Sequence, residues 1–158
     1  MNIQKTKNNE LEIKTKKAVV ELNNGVKVNA VELEGEGEYE IGGISVEGVD
    51  DNIYIFKAEE LVLGTVDFKK PISKENVEKL SSVEILIIRI DGSLKEVLEQ
   101  VNQIEPKITI YFGSQKSKEN LKGNGVVFDE SDELKIAKTD LAEEDKTYFF
   151  LTDDRANS

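Results

Sequence analysis

Apolar residues alternate with polar ones along the first part of the chain. Leu11 and Ile13, then Ala18, Val20 and Leu22, then Val26, Val28 and Ala30 keep the two-residue period of half-buried β-strands. Asn23-Asn24-Gly25 separates the last two runs, and Asn-Gly between alternating segments is a hairpin signal because both residues tolerate positive φ. The alternation slips by one at Ala30-Val31, which reads as a bulge. Residues 35–48 then form two short strands around a Gly42-Gly43 turn, with Ile44 and Val46 on one face and Ser45 and Glu47 on the other. Asp50-Asp51-Asn52 is a turn, and further strands are expected over 53–56 and 61–66.

At Pro71 the period changes. Ser73 is placed to cap a short helix running to Leu80, with Ile72 and Val77 as a hydrophobic staple across the cap. Residues 83–90 are almost unbroken in apolar character, the signature of a central strand covered on both faces. Ser93 with Glu96 makes a capping box for a second helix, whose Leu94, Val97, Leu98 and Val101 recur at helical spacing. Glu105-Pro106 ends that helix and residues 108–112 supply a strand, so strand, helix and strand imply a parallel pair with a right-handed crossover. One more helical turn is expected over 117–122, stopped by Gly123, and strands at 126–128, 134–136 and 148–151. The resulting organisation is a loosely ordered start over 1–9, a single domain over 10–152 and a flexible tail over 153–158.

Composition narrows the chemistry. A chain of 158 residues buries roughly two-thirds of its unfolded surface, enough for one real core. The net charge of -11 opposes binding to nucleic acid or to an anionic membrane and favours solubility. There is no cysteine, which excludes disulfides and thiolate chemistry, and the polar opening residues contain no signal-like apolar run, so a cytoplasmic protein is expected. Histidine is absent too. That removes the ordinary general base near neutral pH, the Ser-His nucleophile pair and the imidazole metal ligand.

Four segments carry a resemblance: Gly37-Glu38-Tyr39-Glu40-Ile41-Gly42-Gly43-Ile44, Asn52-Ile53-Tyr54-Ile55-Phe56, Val83-Glu84-Ile85-Leu86-Ile87-Ile88, and Asn102-Gln103-Ile104-Glu105-Pro106-Lys107-Ile108. Their order is similar to that in the metallo-β-lactamase-fold hydrolases, in the branch that contains L-ascorbate-6-phosphate lactonase and many bacterial zinc-dependent hydrolases. The resemblance covers about residues 35–141, the Leu134-Lys135-Ile136 strand and Asp140-Leu141 included. It implies an α/β fold, a truncated metallo-β-lactamase-like β-sandwich with two or three helices packed on the sheets. It also implies a site of one or two metals at the sheet edges, held by a His-x-His-x-Asp-His loop, further histidines and a bridging aspartate.

Carried over by position, that ligand set leaves mostly blanks. Residues 22–34 hold no histidine motif, and none stands at 49–52. Asp67, in Thr65-Val66-Asp67, keeps the bridging position as a relic, and the last histidine falls on Gly113 as a lost ligand position. A lone carboxylate does not hold zinc, which wants about four ligands, nor magnesium or calcium, which want about six oxygens. No catalytic residue, metal or cofactor is therefore expected.

Other features read as structure. Gly-x-Gly at Gly35 and Gly37 has no following helix to make a phosphate cradle. The acidic groups Asp50-Asp51, Asp129-Glu130-Ser131-Asp132-Glu133 and Glu143-Glu144-Asp145 lack calcium-loop spacing. Tyr39, Tyr54, Tyr111, Phe112 and Phe149 read as packing residues, with an exposed aromatic partner surface as the alternative. The leading expectation is a catalytically inactive scaffold that binds a protein partner or itself, since a shortened first sheet would leave an edge for another chain to cover. The alternatives are a hydrolase with a carboxylate site rebuilt around Asp67, and a small-molecule module for sugar phosphates or nucleotides.

Overall fold

A computed structural model describes residues 1–6, 10–22, 25–68, 71–90, 94–141 and 146–152, the Leu94 side chain excepted. The early alternation becomes an antiparallel meander: β1 (Asn2–Lys5), β2 (Leu11–Lys14), β3 (Val19–Leu22), β4 (Val26–Val28) and β5 (Val31–Leu33) lie side by side in that order. The expectation of a loose start is corrected here, because Ile3 is fully buried and pairs with Ile13. The slip at Ala30-Val31 is not a bulge but a turn, with Asn29 and Ala30 at φ 49° and 67° between β4 and β5. Asn23 and Asn24 of the expected hairpin lie outside the described residues, although Leu22 does pair with Val26.

The second sheet begins with the Gly-Gly hairpin, β6 (Gly37–Ile41) and β7 (Ile44–Asp50), whose Gly42 and Gly43 take φ 59° and 77°. β8 (Ile53–Ala58) and β9 (Leu61–Phe68) continue antiparallel. β10 (Ile85–Ile90), β11 (Ile108–Phe112), β12 (Asp129–Ser131) and β14 (Thr147–Leu151) then complete eight strands in the order β12-β14-β11-β10-β9-β8-β7-β6, with every pairing from β9 to β12 parallel. β13 (Glu133–Lys135) joins the first sheet instead, against β1. The strand expected at 126–128 is displaced to β12, because residues 126–128 form a connection after the turn at Asn124-Gly125.

Three helices follow the helical periodicity. α1 (Lys74–Lys79) starts at Ser73, whose Oγ accepts from the Asn76 backbone N–H at 3.2 Å, and a 3-10 turn over Leu80–Ser82 extends it. α2 (Leu94–Ile104) buries Val97, Val101 and Ile104 and stops at Glu105, which takes φ 54° before Pro106. Ser93 of the expected capping box lies outside the described residues. α3 (Gln115–Gly123) is longer than the single turn expected, because Ser114 caps it by accepting from Ser117.

Two apolar layers result. One lies between the sheets, where Ile3, Val20, Ile44, Leu63, Ile85 and Ile87 meet. The other lies between the eight-stranded sheet and the helices, with Leu86, Ile88 and Tyr111 against Val77, Val101 and Leu121. β10 contributes to both layers and its Ile85, Leu86, Ile87 and Ile88 are all fully buried, as a central strand must be. The described residues are thus α/β, with two face-to-face sheets and three helices on one outer face. No described helix is long and apolar enough to cross a membrane.

Candidate functional site

β9, β10 and β11 run parallel, so their carboxyl ends at Phe68, Ile90 and Phe112 reach one edge of the sheet. Ligands of open α/β sheets gather outside such ends. The register places Asp67 beside Arg89 and Arg89 beside Phe112, all on the face between the sheets. Both charged residues are half-buried, and the Arg89 guanidinium stacks over the Phe112 ring, 5.1 Å from its centroid. The Asp51-Asn52 turn folds over this corner, because the Asp67 backbone N–H donates to the Asn52 carbonyl at 2.9 Å. With Thr65, Tyr54 and Leu22, Gly25 and Val26 from the first sheet's side, these groups line a cavity of about 70 Å³.

The electrostatics of the corner are those of a filled site. Burial, with Tyr39, Asp51 and Asp50 adding to it, pushes the Tyr54 hydroxyl above its ordinary value, so it stays protonated at neutral pH and is no base. The positive Arg89 guanidinium repels a second cation. Two carboxylates, a hydroxyl and a fixed cation do not make a zinc or magnesium donor set. Among the described residues no cluster of three or more acidic, histidine or cysteine side chains is placed to hold a metal ion.

Of the positions singled out by the resemblance, Asp67 lies in this corner and Gly113 lies just outside it. Gly113 follows Phe112, and its carbonyl accepts from Lys5 Nζ at 3.2 Å. A Cβ there would stand 3.0 Å from the Ile90 carbonyl oxygen and 3.3 Å from Ser117 Oγ. Close packing against a neighbouring strand end therefore favours glycine at 113.

Asp50 and Glu130 of the remaining acidic groups have local work. Asp50 accepts from the Asn52 N–H at 2.7 Å and from Asn76 Nδ2 at 3.1 Å, which ties the turn to α1. Glu130 sits 2.7 Å from Lys118 and 3.7 Å from Lys122, and the hydrogen bond from Lys118 holds its carboxyl below the ordinary range despite some burial. Glu143, Glu144 and Asp145 lie outside the described residues. The Tyr39 hydroxyl donates to the Glu34 carbonyl at 2.5 Å and pins the corner between the sheets, while Tyr111 and Phe112 are core.

Arg89 is a member of the corner that residue patterns alone did not single out, whereas Asp51 and Tyr54 were expected as a turn carboxylate and a packing ring. One signal was available for Arg89, which is the single charge inside the otherwise apolar run from Ile85 to Ile90.

Fold and corner together define an α/β protein of two packed sheets whose strand-end site is occupied by its own ion-forming side chains. Compared with models of known families, with characterised proteins and with solved structures, the chain finds no match.

Proposed function

We propose that this chain is a catalytically inactive, metallo-β-lactamase-like protein that works in the cytoplasm as a protein-binding or structural component of an assembly. One observation carries the reading: Arg89 is paired in register with Asp67, and its guanidinium lies over Phe112 at the strand ends. Metal-dependent hydrolysis needs a bound ion that lowers the pKa of a water to about 7. A guanidinium supplies positive charge but binds no hydroxide as a ligand, and the chain has no histidine or cysteine with which to rebuild the set. A hydrolase built on Asp67 and its neighbours therefore does not fit the donor groups present.

Size argues against a small molecule in this strand-end corner. Ligand pockets typically span about 300–1,000 Å³, whereas this cavity has about 70 Å³. It is room for water or a small ion, not for a nucleotide.

Native mass spectrometry of the protein isolated gently from its own host tests the proposal, since it reports metal, copy number and companion chains at once. A metal-free complex with a second kind of chain is expected. One or two ions per chain, lost in Asp67→Ala, would overturn the inactive reading, and a metal-free monomer would overturn the assembly.

A further inference from the structure

We propose that the partner docks as an added strand on the open edge of β6, and that the docking segment is extended and basic; this rests on the protein-binding reading above. Among the described residues β6 is the last strand of the eight-stranded sheet and pairs only with β7. Their two-residue turn makes Ile41 and Ile44 a hydrogen-bonded pair, so alternate residues turn their backbone groups inward. The N–H and C=O groups of Glu38 and Glu40 consequently face away from β7, and no described residue bonds them. The other three edge strands, β5, β12 and β13, have three residues each, whereas β6 has five. It is the edge with the most backbone to offer.

Charge selects the occupant. Glu38 stands opposite Glu47 and Glu40 opposite Ser45, and these side chains with Ile55 and Lys57 border a groove of about 370 Å³. On the other face of β6, Tyr39 and Ile41 pack partly buried against the inter-sheet core. A strand laid along β6 therefore meets carboxylates at alternate positions and apolar side chains between them. Lysine or arginine alternating with an apolar residue matches both rows. A second copy of this chain does not, because β6 against β6 would set Glu38 and Glu40 beside the same residues of the copy, on a chain already at -11.

The full chain, titrated with a short fluorescein-labelled peptide of alternating lysine and valine, tests this by fluorescence anisotropy. Saturable binding that weakens with salt is expected, with backbone amide shifts confined to β6 and β7. The double variant Glu38→Gln, Glu40→Gln should bind roughly tenfold more weakly, two cross-strand charge pairs having been lost. Glu40→Pro removes one outward N–H while leaving the hairpin bonds, and should abolish binding. Absence of saturable binding would overturn the proposal. Equal binding of a glutamate-valine peptide, undiminished binding by the double variant, or a dimer in place of peptide binding would do the same. If the peptide fails while native mass spectrometry still finds a second chain, the edge is wrong and the protein-binding reading stands; if both fail, both fall.

Discussion

Gly48→Ala tests how tightly the two sheets are joined. Gly48 lies on the inter-sheet face of β7, and a Cβ there would be driven into the carbonyl oxygen of Gly35 while standing 3.3 Å from the Tyr54 ring. The obstacle is backbone. The segment that crosses from β5 to β6 can retreat only by giving up the 2.5 Å hydrogen bond from the Tyr39 hydroxyl to Glu34. Overpacking costs about 1–3 kcal/mol and a lost hydrogen bond about 0.5–1.5 kcal/mol, so a loss of roughly 2–4 kcal/mol is expected. At about 2–4 °C per kcal/mol for a chain of this size, the melting temperature should fall by roughly 5–15 °C. Gly123→Ala is the control, because a Cβ at the end of α3 meets nothing within 4 Å. That change should stabilise by about 0.4–1 kcal/mol through the unfolded chain. Thermal melts followed by far-ultraviolet circular dichroism, with urea titrations beside them, compare the three proteins. A Gly48→Ala protein melting with the wild type, while Gly123→Ala behaves as stated, would refute the packing argument.

Ile87→Ala, which empties a fully buried position between the sheets, should cost about 2–5 kcal/mol in urea titrations without changing the fold. Ser73→Ala removes the cap on the Asn76 N–H and should cost about 0.5–2 kcal/mol, with faster amide exchange at Asn76. Burial alone would raise Glu59, but the Lys16 backbone N–H and the Met1 ammonium hold its carboxyl below the ordinary 4.5. A carboxylate depressed in the folded state stabilises above its unfolded value and loses that contribution as pH falls through the folded one. Glu59→Gln should therefore melt below the wild type at neutral pH, and the gap should close in melts taken from pH 4.5 downward.

Local chemistry made much of the fold legible. The turn at Gly42-Gly43 needed only the positive φ of two glycines, and β10 needed only an apolar run too unbroken for a half-wet strand. Ser73 and the spacing of Val97 and Val101 placed α1 and α2 for the same reason. β1 was hidden because its Asn2-Ile3-Gln4-Lys5 has one apolar residue, and the partner that buries it, Leu134, is remote in the chain. The turn at Asn29-Ala30 escaped because alanine gives no sign that it will take φ 67°. Of the corner, Asp67 could be reached by position, whereas Arg89 and Phe112 become a pair only once parallel register sets them side by side.

The pairing of Ile3 with both Ile13 and Leu134 carries a consequence for the order of assembly. A chain emerging from the ribosome can form β1 to β5 by local hairpins almost at once. It cannot finish that sheet until β13 has been made, after β6 to β12. Closing so long a loop is entropically slow, and contacts this distant in sequence are what retard folding. β1 thus waits for a strand made much later, and docking of β13 onto β1 is the step on which completion of the first sheet depends.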